Sequence, residues 1–185
     1  QSHPTIGDPE VFHSEGETRI SVIFPKHLRR RILHALFTHH PYEEVAYEVY
    51  TLENTHQHIG LGMIGYLETP MEELPFLNFV KERMQTACVR HSALLGKKIQ
   101  KVAVLGGSGA DAIGACIAAG CDAYITSDIK YHEFFKAEGR LLLADIGHYE
   151  SEQFTKLLLW EQLTKKFSTF AFYLANTNTN PINYL

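Results

Sequence analysis

The chain has 185 residues, 45% of them hydrophobic, which suits one large domain or two small ones with a buried core. Its formal net charge of −4 leaves no basic excess to displace counterions from a polyanion, so no nucleic-acid partner is expected. No apolar run approaches the ~20 residues that span a bilayer and nothing reads as a signal peptide, so a cytoplasmic chain without a membrane partner is expected.

In chain order, residues 1–17 mix Pro, Gly and acidic residues without periodicity and read as a lead-in. Alternation at Ile20, Val22 and Phe24 predicts a strand over 18–24. Pro25 opens a helix to about residue 39 with an apolar stripe at Leu28, Ile32, Leu33, Leu36 and Phe37. The run Arg29-Arg30-Arg31 on that helix reads as a solvated face. Strands are predicted over 45–52 and 61–68, with His56 and His58 exposed in the polar turn between them. A second amphipathic helix over 71–86 and a short edge strand over 87–91 complete a β-α-β-β-α-β order, the ferredoxin-like pattern, across 18–92.

After a link at 94–98 the pattern changes. The run KVAVL at 101–105 predicts a strand buried on both faces. A glycine-rich turn and a helix to about 119 follow, then a strand at 122–126, a helix at 130–138 and a strand at 141–146. A long helix at 149–167 and a last strand at 169–174 close the chain. Such alternation predicts an α/β layer with a mostly parallel sheet over 98–185. The three cysteines, Cys88, Cys116 and Cys121, lack CxxC spacing and read as reduced core residues.

Two segments carry the chemistry. In DIGHYESE a buried strand ends at Gly147 and a helix starts at once, so His148 and Glu152, four apart, project from one helical face. An imidazole and a carboxylate so placed can share one divalent metal ion. The plainer reading is a helix start whose acidic residues favour the macrodipole. In TSDIKYH, again after a strand, Asp128 and His132 repeat that spacing, although Ser127 or Asp128 could simply cap the next helix. Both segments follow strand ends, where open α/β sheets place their sites, and together they suggest one cleft. The turn Gly106-Gly107-Ser108-Gly109 reads either as a tight turn or as an anion contact through bare backbone N–H groups. The pair His39-His40 before Pro41 is read as loop packing, because successive helical residues diverge.

These residues add up to a resemblance. The run GGSGADAIGACIAAGCDAYITSDIKYHEFFKAEGRLLLADIGHYESE resembles the C-terminal half of the Nif-three-like family (NGG-one-interacting factor three), whose bacterial members are often called GTP cyclohydrolase 1 type 2 homologues. The piece VIFPKHLRRRILHALFTHHPYEEVAYEVYTLEN resembles an extra domain of the longer bacterial members, similar to the CutA and PII signalling fold. The resemblance covers about residues 4–185, and its specific motifs are GHxxSE and TxDxKYH; Ser127 stands where the family pattern has Gly.

The resemblance implies a site for two divalent ions (zinc, iron, manganese or magnesium) with His148 and Glu152 among the ligands. It assigns the other ligands to an N-terminal half that this chain lacks, so weak metal binding and little activity are expected of the chain alone. It implies a metal-dependent hydrolase acting on a nucleotide-like or other phosphate-bearing small molecule. Asp128 and His132 would position substrate or transfer protons, and Gly107, Ser108 and Gly109 would contact phosphate. Ring-like homo-oligomers are implied as well. The alternative is a binding or regulatory protein whose CutA/PII-like domain senses a small ligand or metal, or caps a homo-oligomeric ring, without turnover. A third reading is a protein-interaction scaffold.

Overall fold

The structure is a computed structural model that describes residues 12, 14, 16–54 and 59–185. The expected exposure of His56 and His58, and most of the expected lead-in, lie outside the described residues. The chain divides into two compact units, Gln1–Thr55 and His56–Leu185.

In the first unit a 3-10 turn, Lys26–Leu28, runs into helix α1, Arg29–His39. Pro25 precedes the turn with an extended backbone, which its fixed φ favours. The arginines 29–31 are exposed and Ile32, Leu33 and Leu36 are half-buried. The strands expected at 18–24 and 45–52 do not form among the described residues, and Ile20, Val22 and Ile23 are largely exposed. Alternation makes a strand only where a ladder and a covered face reward it, and two strands alone are marginal in water. Those segments carry instead an Arg19–Glu48 ion pair at 3.3 Å. Phe37 and Tyr47 also meet edge to face at 5.3 Å.

The second unit is a five-stranded mixed sheet. Its strands are β1 (Met63–Met71), β2 (Arg90–His91), β3 (Ile99–Ser108), β4 (Ala123–Ser127) and β5 (Leu142–Asp145). Their order is β1-β3-β4-β5-β2. Strands β3, β4 and β5 are parallel, and β1 and β2 close the two edges antiparallel. The expected strand at 61–68 and edge strand at 87–91 are therefore present, but they pair with the α/β strands. The sequence reading put one domain over 18–92 and another over 98–185; the sheet instead crosses that boundary. The link at 94–98 is also tied down. Glu73, at the start of helix α2 (Glu73–Arg83), accepts the backbone N–H groups of Leu95 and Gly96 at 2.6 and 2.8 Å.

Register explains the two-sided burial. Val102, Ala123 and Leu142 align across β3, β4 and β5 and face α2, whose Phe76, Leu77 and Val80 cover them. The next residues, Ala103, Tyr124 and Leu143, face the opposite layer. That layer holds helix α3 (Ile113–Ala118) with Ile113 and Cys116, and a 3-10 segment, Tyr131–Ala137. Strands buried on both faces must be apolar throughout, as LLLA at 141–144 is. Cys116 and Cys121 are buried, as expected, whereas Cys88 is exposed; all three are free thiols. Burial pushes the Cys116 thiol up to about 11.

The long C-terminal helix is divided into α4 (His148–Glu152) and α5 (Thr155–Lys166). The strand expected at 169–174 is absent. No described helix is long and apolar enough to cross a membrane.

Candidate functional site

Parallel strands β3, β4 and β5 end on the same side of the sheet, and each end delivers one polar loop. Thr126 lies opposite Asp145 and Ser108 opposite Ser127, so the three ends are level. Gly107 ties them together. Its φ of +70° sits inside a register shift of β3, a bulge of the kind that re-aims a strand end beside a site. Its N–H donates to Ser151 Oγ at 2.8 Å, and its carbonyl accepts Thr126 Oγ1 at 3.2 Å and Ser127 Oγ at 2.5 Å. The Ser127 hydroxyl, fully buried where the family pattern has Gly, is thereby satisfied.

Asp128 leaves β4 with φ +57°, the left-handed conformation that Asp tolerates better than most residues. Its Oδ2 lies 2.6 Å from His148 Nδ1. On α4, His148 Nε2 lies 3.4 Å from Glu152 Oε2, as the four-residue spacing predicts. The imidazole thus stands between two carboxylates. All three side chains are about half exposed, at 48%, 48% and 53% for His148, Asp128 and Glu152. The Asp128 hydrogen bond, aided by the charges of Asp128 and Glu152, outweighs desolvation and raises the His148 pKa above its ordinary value.

His132 does not join them. Asp128 is outside the 3-10 segment that begins at Tyr131, so a four-residue spacing no longer puts the two on one helical face. His132 is exposed, with its ring edge-to-face on Tyr131 at 5.1 Å. Gly107 reaches the site: a Cβ there would lie 2.7 Å from Glu152 Oε1. Gly109 N–H points at the Ser127 carbonyl at 3.4 Å, so the N–H groups of Gly107 and Gly109 find their partners on α4 and β4. In the first unit His40 Nδ1 accepts the Tyr42 N–H at 3.1 Å, the loop-packing role read from the sequence.

Sequence reasoning missed Asp145. Its carboxylate is 5% exposed; Oδ1 accepts Gly147 N–H at 3.0 Å and Oδ2 accepts Ile129 N–H at 2.9 Å. One side chain therefore holds the residue after Asp128 and the residue before His148. Arg90 on β2 pairs with Asp145 Oδ2 and donates to the Ile129 carbonyl at 2.5 Å. The available signal was an acid ending a wholly apolar strand. Glu150, also buried, accepts Asn180 Nδ2 at 3.1 Å, which ties the C-terminal tail to α4. A cavity of about 340 Å³ lies beside the pair, lined by His148, Tyr149, Glu152, Gln153 and residues 180–182.

A nitrogen and an oxygen donor on one helical face suit a borderline divalent ion such as zinc. A carboxylate on the other ring nitrogen is the usual outer partner of a metal-bound histidine. Among the described residues, no group of three or more His, Cys, Asp or Glu is arranged to hold an ion. The donor set fits two ligands of a metal site.

Comparison with known proteins places these observations. The family model for Duf34/NIF3 (NGG1p interacting factor 3) matches residues 23–181. A Bacillus subtilis protein named GTP cyclohydrolase 1 type 2 homolog is 36% identical, over 97% of this chain and 48% of its own length. A Listeria innocua protein of the same name is 33% identical, over 99% of this chain and 50% of its own. The crystal structure of a Bacillus cereus protein related to NIF3 superposes with a TM-score of 0.68 and 34% identity, covering 88% of this chain and 46% of that one. The chain spans about half the length of the curated relatives it matches.

Proposed function

This chain belongs to the Duf34/NIF3 family, and from that premise we propose that it supplies two metal ligands, His148 and Glu152, to a metal-dependent hydrolase. The observation that carries the reading is the placement of His148 between Asp128 and Glu152 at the ends of parallel strands. A divalent ion held there supplies Lewis-acid polarisation and a water of lowered pKa. The chain's own part is to present His148 Nε2 and Glu152 Oε2 from one helical face. Gly107, by lacking a side chain, leaves Glu152 Oε1 open to approach. His132, exposed on the β4 loop, would meet substrate or carry protons there, and Ser108 and Gly109 would lie near its phosphate. The substrate class, a nucleotide-like or other phosphate-bearing molecule, is supported by the names of the relatives. The remaining ligands would come from the half of those relatives that this chain does not span.

Elemental analysis tests the reading. This chain alone is expected to hold metal weakly, and the chain joined to the other half of its relatives' length to hold about two ions. In that longer form Glu152→Ala is expected to abolish metal-dependent hydrolysis. Saturable ligand binding without product would favour the regulatory alternative instead. Self-association is part of the proposal. Tyr66 on edge strand β1 and Leu158, Leu159 and Trp160 on α5 are exposed apolar surface that a second copy could cover. A monodisperse monomer by light scattering would count against it.

A further inference from the structure

The sequence pairs Asp128 with His132, yet its carboxylate is engaged elsewhere, 2.6 Å from His148 Nδ1. A neutral imidazole has one proton for two nitrogens, and an ionised carboxylate can only accept. Two carboxylates compete for that proton. The Asp128 contact has the short separation of a charge-assisted hydrogen bond, whereas the 3.4 Å from Nε2 to Glu152 exceeds ordinary N–H···O geometry. The shorter contact wins and keeps the proton on Nδ1. The lone pair then sits on Nε2, the nitrogen that faces Glu152.

Asp128 is held for this task. Its neighbour Ile129 and the residue before His148, Gly147, both donate backbone N–H groups to the buried carboxylate of Asp145. The separation of the two loops is therefore set by the ends of β4 and β5 and by one rigid bridge. Asp128 has a left-handed backbone and lies before the 3-10 segment that carries His132.

We propose that Asp128 is a positioning residue that fixes His148 in the tautomer and ring orientation presenting an unprotonated Nε2 toward Glu152. The proposal rests on the metal reading, since the lone pair it exposes is what an ion shared with Glu152 would use. It reassigns Asp128 from contact with substrate to control of a ligand.

Nitrogen-15 NMR of the histidine side chains, on the full chain without metal and at a pH well above the imidazole range, reads the tautomer directly. The wild-type His148 is expected in the Nδ1–H form. Asp128→Gly suits a φ of +57° without strain and removes the carboxylate. In it the ring is expected to move toward the Nε2–H form that imidazole prefers alone. Zinc affinity, followed in the same spectra, is expected to fall about 10–100-fold. A wild-type ring in the Nε2–H form, or a tautomer unmoved by the substitution, overturns the proposal. Should Asp128→Gly fail to fold, the wild-type tautomer alone decides. Equal zinc affinity in the two proteins overturns the positioning role and leaves the metal reading intact. An Nδ1–H ring in a protein that takes up no zinc even when joined to the other half of its relatives' length overturns the metal reading, and with it the purpose assigned to Asp128.

Discussion

Two loops of this protein present an acid and a histidine four residues apart, Asp128 with His132 and His148 with Glu152. In the second loop a helix begins at His148 itself, so the spacing becomes a shared face and the side chains meet. In the first, Asp128 lies before the helical segment in a left-handed conformation, and the same spacing brings nothing together. A periodic motif has geometric meaning only when both members lie inside the regular element. The partner that Asp128 does find is twenty residues away, on the other loop. What joins the loops is Asp145, whose carboxylate bridges their backbones.

The comparison can be broken most severely at that bridge. Asp145→Ala leaves the N–H groups of Ile129 and Gly147, and the Arg90 guanidinium, without their acceptor. Chemical denaturation is expected to show a loss of about 3 kcal/mol. Gly147→Ala strikes the second loop alone. At φ +92° a Cβ is strained and would lie 2.2 Å from Glu150 Oε2, so about 2 kcal/mol is expected to be lost by the same measurement.

Zinc titration sharpens the contrast between the spacings. Glu152→Gln is expected to weaken binding by about tenfold or more, whereas His132→Ala should leave it unchanged. Equal losses would mean that the first loop also forms a ligand pair. The smallest effect is a titration. His148 is raised chiefly by its hydrogen bond to Asp128, so Asp128→Asn should bring its NMR titration midpoint down. Because the folded value is raised, the stabilisation from this contact is full below the ordinary imidazole value of about 6.5 and is lost as pH rises through the raised one.

Legibility followed how local each signal was. The strands at 122–126 and 141–146 were readable because strands buried on both faces are largely apolar, and 101–105 from its β-branched run although Val104 is exposed; so was the His148–Glu152 pair, which one helical turn dictates. The strands at 18–24 and 45–52 were misread because alternation is necessary for a half-buried strand but does not supply a ladder. Met63–Met71 was recognised as a strand, but its neighbour was not, since nothing in an edge strand's own residues names its partner. Asp145 went unnoticed for the same reason: the donors to its carboxylate, on Arg90, Ile129 and Gly147, come from three separate parts of the chain.

By itself the sequence determined the α/β character of the second unit, its parallel centre and one acid–histidine pair, because burial on two faces and helical periodicity are written in neighbouring residues. It also carried, in GHxxSE and TxDxKYH, the family to which the chain belongs. Only the tertiary structure decided which strands close the sheet, that Asp128 serves His148, and that Asp145 holds both loops. Those outcomes depend on hydrogen-bonding groups far apart in the chain, which meet only once the strand ends are level.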